Sequence, residues 1–321
     1  MDKIKKMIKK ILKKLKHLLC KKTIKIEELN IKINSLEYQL EYLKHHFNIQ
    51  DMKPATGWLR ETQINEVRFS IEFFNELKKL EIKPFIVGGC LLGKIRHNGF
   101  IPFDDDIDYG LFRKDFEKLE KYCKETFIWV DTNDFSGNII PLADKYIRLN
   151  PGKYVVIKSL FCLHIYKGEK IQNALNVEFF PFDFLNDDVT EKEYVDYKKY
   201  VKDIVKPTKK WGMIFDFYKK ELSESKIFTK IETKRCAPSV DHYNLTHLGF
   251  HGFSNYEDIF PIKYLEFEGS LLPFPNDMKK VAESEYGNLG WPSDVGISHG
   301  LETLNEWLRN NDEEEILYKE F

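Results

Sequence analysis

Paired cysteines are missing from this chain. Its five cysteines, Cys20, Cys90, Cys123, Cys162 and Cys236, are scattered, and no two form a C-x-x-C pair. That pattern argues against a zinc site and a disulfide framework, and it suits a reducing compartment. Long apolar runs are also lacking, since no stretch approaches the roughly 18 residues that a transmembrane helix requires. Net charge is nearly absent, at −1 over 321 residues. What is present is core material: 42% of residues are hydrophobic and 14% aromatic, a globular composition. The length favours one large domain with an appendage over two equal domains.

The near-zero net charge hides an asymmetry. Residues 1–22 hold ten lysines against the single Asp2, so they carry +9 and the remaining 299 residues carry about −10. Two parts with different tasks are implied. In "MDKIKKMIKKILKKLKHLLCKK", Ile4, Ile8, Ile11, Leu12, Leu15, Leu18 and Leu19 recur at helical spacing, with lysines filling the other face. The spacing predicts a basic amphipathic helix suited to anionic lipid head groups. Lysines interrupt every candidate apolar stretch, which disfavours a signal peptide. A solvated helix that merely extends the neighbouring segment is the plainer alternative.

Residues 23–47 then carry a heptad seam. Ile26, Leu29, Ile33, Leu36, Leu40, Leu43 and Phe47 step alternately by 3 and 4. With Ile26, Ile33 and Leu40 at a and Leu29, Leu36 and Leu43 at d, the pattern favours a parallel two-stranded coil and allows a homodimer through residues 26–47. Lys32 at g would meet Glu37 at e of the second chain. Packing of the stripe on the catalytic body is the competing reading. Pro54 and Gly57 mark residues 48–59 as a linker.

Residues 60–82 read as a helix with Ile64, Val67, Ile71, Phe74, Leu77 and Leu80 on one face. Pro84 ends it, "FIVGG" reads as a short buried strand entering a glycine turn, and "CLLGKIRH" as a helix starting there. Glycines at such a junction let backbone N–H groups approach a phosphate. Downstream, Asp104, Asp105, Asp106 and Asp108 fall within five positions. Read as a strand, "DDDIDYGLF" points Asp104, Asp106 and Asp108 to one face, with Asp105, Ile107 and Tyr109 on the other. Two carboxylates about 4 Å apart repel by roughly 4 kcal/mol at an effective dielectric near 20. A divalent cation removes that repulsion, and hard oxygen ligands suit Mg²⁺ or Mn²⁺. An exposed acidic loop is the plain alternative.

The stretch "GGCLLGKIRHNGFIPFDDDID" resembles the signature of the LicD family, which includes the fukutin-related proteins. That family's usual form is a Gly-Gly-Thr turn, Leu-Leu-Gly, an Arg-His pair and "gfIPWDDDID". "NVEFFPFDFL" resembles its "iDIFPlD", with Glu178 and Asp183 at the two acidic positions. "YLEFEGSLLPFPNDMKKVAESEYGNLGWP" resembles its ending. The likeness covers about residues 80–185 and 260–292. Cys90 stands where the family has Thr or Ser, and a thiol bonds phosphate weakly. Phe103 replaces a Trp.

The resemblance implies an α+β fold: a polymerase-β-type nucleotidyltransferase core at residues 60–321, with a helical insertion at 186–250. It implies Asp106 and Asp108 as metal ligands, with Asp104 helping through water. Glu178 would hold a second metal or take the acceptor's proton. Gly88, Gly89, Cys90 and Arg96 would bind donor phosphate, Arg96 by a bidentate clamp, although a surface Arg on a short helix fits the sequence as well. The implied cofactor is Mg²⁺ or Mn²⁺. The implied reaction takes a CDP-linked alcohol and a hydroxyl of a cell-surface glycan or lipid-linked sugar to a phospho-alcohol-substituted sugar and CMP.

A cytoplasmic protein, peripheral on the inner face of the membrane, is the expectation from combining that chemistry with residues 1–22. The rival readings are transfer of a nucleoside monophosphate to a sugar or RNA, and an inactive coiled-coil scaffold. Residues 192–235 hold thirteen Lys/Arg against seven Asp/Glu, interleaved with Tyr194, Tyr197, Tyr200, Trp211, Phe215, Phe217 and Tyr218. That segment reads as an acceptor lobe or a solvated cover, and aromatic-plus-basic surfaces also bind single strands. Nucleic acid is nonetheless the disfavoured partner. His242, His247 and His251 could ligate a metal, although loop histidines without an acidic or cysteine partner nearby usually do not.

Overall fold

The structure, a computed structural model, describes residues 52–242 and 253–287, helical residues 25–26 and 29–36, and positions 39, 46, 289 and 309. The chain divides into two compact units, Met1–Ile49 and Gln50–Phe321. The predicted basic helix at 1–22 lies outside the described residues, as do Leu40, Leu43 and Phe47 of the heptad seam. Ile26, Leu29, Ile33 and Leu36 of that seam are helical and exposed. Among the described residues no helix is long and apolar enough to cross a membrane.

The larger unit is α+β, built on a mixed sheet. In chain order its elements are α1 (Gly57–Lys79), β1 (Phe85–Ile86), α2 (Gly88–His97), β2 (Asp108–Phe112), α3 (Arg113–Thr126), β3 (Ile128–Val130), α4 (Ile140–Leu149), β4 (Val155–Lys158), β5 (Leu163–Lys167) and β6 (Leu175–Leu185). Next come α5 (Glu191–Val205), α6 (Trp211–Glu224), β7 (Phe228–Thr229), β8 (Arg235–Pro238), β9 (Ser254–Asn255), α7 (Tyr256–Ile259), β10 (Lys263–Phe267), β11 (Ser270–Phe274) and α8 (Met278–Tyr286). The sheet runs β1-β2-β6-β5-β4-β3, with β7 and β8 on the far half of β6 and β9 beside β8. β6 is the long central strand: β2 lies parallel to it and β5 antiparallel. Its residues Val177 and Phe179 are fully buried while Glu178 between them is not, the alternation that a half-open sheet face imposes.

The expected strand over "DDDIDYGLF" forms only from Asp108 onward. β1 is two residues long and pairs only with Tyr109 and Gly110, so the ladder gives Asp104–Asp106 no partner on that side. Their backbone is held by side chains and a turn. Asp104 N–H donates to Ile101 (2.9 Å), Gln63 Nε2 donates to the Asp104 carbonyl (2.8 Å), and Cys90 Sγ donates to the Asp106 carbonyl (3.3 Å).

Helix α1 also departs from the expected face. Its buried stripe is Leu59, Gln63, Glu66, Val67, Phe69, Ser70, Phe73 and Leu77, whereas Ile71 is exposed. Phe73 seats the helix on the sheet through rings of Tyr154 (5.6 Å) and Phe179 (5.7 Å). The insertion carries a separate core in which Tyr194, Tyr197, Trp211 and Tyr218 are buried. Most of the aromatics read as a candidate surface therefore face inward, with Tyr200 an exposed exception. His242 is half-buried and stacks on Phe180 at 5.0 Å, and desolvation of its ring pushes it down to about 3. His247 and His251 lie outside the described residues.

Gly110 sits on β2 where an added Cβ would lie 2.4 Å from Phe85 ring carbons and 3.0 Å from Phe182. Gly110→Ala should destabilise the protein by about 1–3 kcal/mol through overpacking. A urea denaturation midpoint equal to wild type would contradict this packing.

Candidate active site

Three neighbouring strands deliver one row of chemistry. Asp108 on β2 is in register with Glu178 on β6, and Glu178 is in register with His164 on β5. Adjacent strands lie about 4.8 Å apart, so the three side chains share one edge of the sheet face. A cleft of about 750 Å³ opens there, with Glu66, Asp105, Asp106, His164 and Glu178 in its wall. Trp211 from α6 also lines it.

The glycine turn makes room for the acids. Gly88 has φ +63°, the left-handed region that favours glycine, and a Cβ there would lie 2.8 Å from Asp108 Oδ2. A Cβ on Gly89 would lie 2.4 Å from Asp104 Oδ2. Both residues thus admit a carboxylate against the first turn of α2. The Gly88 N–H donates to Glu285 Oε2 on α8 (3.0 Å), so that donor faces a carboxylate of the protein itself. Cys90 is buried, its thiol on the Asp106 carbonyl. Arg96 is also buried, and its Nε donates to the Leu289 carbonyl (3.0 Å). None of these four residues is in the cleft wall, and neither are Asp104 and Asp108.

The electrostatics are unusual. Burial pushes Asp108 well above the ordinary carboxylate range, reinforced by Asp106, Glu178, Asp104 and Glu285. Glu66 is pushed up the same way, by burial and then by Asp106, Asp105, Asp104 and Glu178. Glu178 goes in the opposite direction. Burial would raise it, but attraction to His164 and hydrogen bonds from His164, Cys162 and Asn176 hold it at about 2. His164 Nδ1 and Asn176 Nδ2 both reach Glu178 Oε1 at 2.8 Å, and Cys162 Sγ reaches Oε2 at 3.3 Å. Asp183, the other acid of that strand motif, is remote from this chemistry: it pairs with Arg113 at 2.8 Å, as does Asp241 at 2.9 Å.

Two acidic features bear on a cation, and among the described residues only one of them brings three ligand atoms together. Asp108 Oδ1 and Glu66 Oε2 are buried oxygens with no hydrogen-bond partner. They stand among further carboxylates, whose oxygens are hard donors of the kind Mg²⁺ or Mn²⁺ takes, although no three of these acids place ligand atoms together. Cys162, His164 and Glu178 place one ligand atom each within 4.8 Å of one another, a softer set of zinc type. Glu66, His164, Cys162 and Glu285 were not singled out by sequence reasoning. The available signal was weak: Gln63, Glu66 and Ser70 are polar residues at helical spacing on what proves to be the buried stripe of α1.

Residues 81–215 match the family model described as "LicD/FKTN/FKRP, nucleotidyltransferase domain". This match and the partial LicD relative below support membership of the LicD family. It is 32% identical over 120 residues to Uncharacterized protein RP689 of Rickettsia prowazekii (strain Madrid E), covering 30% of this chain and 44% of that protein. It is 39% identical over 77 residues to Lipopolysaccharide cholinephosphotransferase LicD of Haemophilus influenzae, covering 23% of this chain and 28% of that protein. The chain spans less than half the length of the curated relatives it matches.

Glu285 is pushed up to about 7 by burial, against the opposing Gly88 hydrogen bond. A raised folded-state value means that its contribution is complete below the unfolded value, near 4.3, and is lost as pH rises through about 7. Without divalent cations, wild type should therefore lose stability relative to Glu285→Gln between pH 5 and about 7.5. Parallel melting curves of the two proteins across that range would contradict the assignment.

Proposed function

We propose that this protein is a metal-dependent phosphotransferase that moves a phospho-alcohol from a CDP-linked donor to a glycan hydroxyl, releasing CMP. The observation that carries the reading is the register of Asp108 with Glu178, beside a glycine turn that admits carboxylates and below a cleft walled by Asp106 and Glu178. That arrangement agrees with a polymerase-β-type nucleotidyltransferase core. The cholinephosphotransferase named among its relatives supports phosphocholine or a similar phospho-alcohol as the group moved.

Asp106 and Asp108 would hold the cation, with Asp104 behind them, and Glu178 faces the cleft beside them. When bound, Mg²⁺ or Mn²⁺ supplies neutralisation of charge developing on the donor phosphates and alignment for in-line attack. The acceptor oxygen forms a new bond to the phosphorus that bears the alcohol. The bond from that phosphorus to the bridging oxygen breaks, and CMP departs with the electron pair. The hydroxyl proton passes to a carboxylate of the cleft wall. His164 keeps Glu178 oriented through the 2.8 Å bond to Oε1. Trp211 closes one side of the cleft with an apolar ring, a surface suited to stacking on a sugar or base.

Membrane-borne acceptors suit the lysine-rich segment 1–22, which would bring the enzyme to an anionic surface from the cytoplasmic side. The seam at 26–47 would pair two copies there. Deleting residues 1–22 should abolish co-sedimentation with phosphatidylglycerol-containing vesicles. Co-sedimentation equal to the full chain would remove the membrane role.

Asp106→Asn and Asp108→Asn should each lower CMP release from CDP-choline or a CDP-alditol by at least a thousandfold while the circular dichroism spectrum stays native. Either variant retaining activity within tenfold of wild type would refute the ligand assignment. Label appearing on the acceptor from the nucleoside instead of the alcohol would make the reaction a nucleotidyl transfer.

A further inference from the structure

We infer that Cys162, His164 and Glu178 form a binding site for a zinc-class divalent cation, separate from the ion assigned to Asp106 and Asp108. The inference goes beyond the phosphotransferase reading and does not depend on which group that reaction moves.

Strand geometry assembles the three ligands. Cys162 immediately precedes β5 and His164 is the second residue of that strand, so the two side chains, two positions apart, share a face. Glu178 is in register with His164 on β6. A C-x-x-C pair is therefore not required, since C-x-H along one strand and an acid across the ladder bring three ligand types together. Cys162 Sγ lies 3.2 Å from His164 Nε2 and 3.3 Å from Glu178 Oε2. Around a tetrahedral zinc ion, a sulfur at about 2.3 Å and a nitrogen or oxygen at about 2.0 Å stand roughly 3.5 Å apart. A small adjustment of these side chains admits such an ion. Among the described residues, no other three His, Cys, Asp or Glu side chains gather ligand atoms this closely.

The surrounding bonds hold the three groups in place, as the outer partners of metal ligands do. Ser159 Oγ accepts from the Phe161 and Cys162 N–H groups, both at 3.2 Å, and so fixes the turn that presents the thiol. His164 Nδ1 is bonded to Glu178 Oε1 at 2.8 Å, which leaves Nε2 toward Cys162, and the ring stacks on Tyr166 at 5.8 Å. Asn176 Nδ2 donates to the same Oε1 at 2.8 Å. Glu178 Oε2 accepts from the thiol, and that proton is the one a cation replaces: the S–H bond breaks, the proton leaves to solvent, and the thiolate sulfur binds the ion. Thiolate and imidazole select zinc-class ions over Mg²⁺. Three protein ligands leave a further coordination position for water or substrate. His164 and Glu178 line the cleft, so the space adjoining that position is the one substrate would enter.

Zinc binding by the metal-free full chain, measured in competition with a chromophoric chelator, tests this without reference to turnover. Co²⁺ in place of zinc reports the sulfur ligand through its near-ultraviolet thiolate charge-transfer band. Wild type should bind Zn²⁺ that a thousandfold excess of Mg²⁺ does not displace, and its Co²⁺ form should show the band. Cys162→Ser should weaken Zn²⁺ at least a hundredfold and remove the band, and His164→Gln should weaken Zn²⁺ at least tenfold. Asp106→Asn should change zinc affinity less than fivefold. Absence of the band in wild type, or affinity of Cys162→Ser within twofold of wild type, overturns the inference. So does loss of zinc in Asp106→Asn with retention in Cys162→Ser, which places the ion among the aspartates. If Cys162→Ser does not fold, His164→Gln and the wild-type Co²⁺ spectrum carry the test, with affinity of His164→Gln within twofold of wild type the overturning result. No zinc binding by a wild type that still releases CMP with Mg²⁺ removes this site and leaves the phosphotransferase reading standing.

Discussion

Mutual repulsion among carboxylates at one edge of a buried sheet is the constraint around which this protein is arranged. Asp104, Asp105, Asp106, Asp108, Glu66, Glu178 and Glu285 act electrostatically on shared neighbours. In an interior of low polarity, such groups either take up protons or share a counter-ion. The fold opposes the repulsion with fixed donors: His164, Asn176 and Cys162 on Glu178, and the Gly88 N–H on Glu285 at the positive end of α2. Asp108 Oδ1 and Glu66 Oε2 receive no such donor, and burial among the other acids pushes both groups up.

Supporting that cluster draws on elements far apart in sequence. Helix α1 contributes Gln63 and Glu66, and α8 near the other end contributes Glu285. The segment that matches the family model, residues 81–215, thus holds the motif but not the whole site. The glycines of the motif serve the same end, since a side chain at Gly88 or Gly89 would collide with Asp108 or Asp104. Arg113 does comparable work at the far end of β6. By pairing with Asp183 and Asp241 it secures the insertion to the sheet, and the insertion in turn brings Trp211 to the cleft.

Much of this was legible in the sequence where the relevant residues are contiguous. The glycine turn and the aspartate run each lie within a few positions, so local spacing reports them, and Glu178 entered through the resemblance of "NVEFFPFDFL" to the family motif. What failed was any inference about which face is buried. The apolar period of α1 pointed to Ile64 and Ile71, but the helix buries Gln63, Glu66 and Ser70, because Gln63 must reach backbone carbonyls 38 and 41 residues away in sequence. The strand assigned to the aspartate run failed for a similar reason: side chains of Gln63 and Cys90, not a neighbouring strand, satisfy that backbone. Tyr194, Tyr197, Trp211 and Tyr218 in turn looked like a surface because lysines surround them, yet the insertion folds them into a core of its own.

The sequence by itself determined the motif and the acids it contains, since these lie in short-range spacing, and through the resemblance that motif carries it implied the α+β character. Only the tertiary structure decided which acids meet, which are tied down and which keep an oxygen without a donor. Those outcomes depend on strand register and on donors from His164, Asn176 and Gly88, and long-range packing, not local periodicity, sets them.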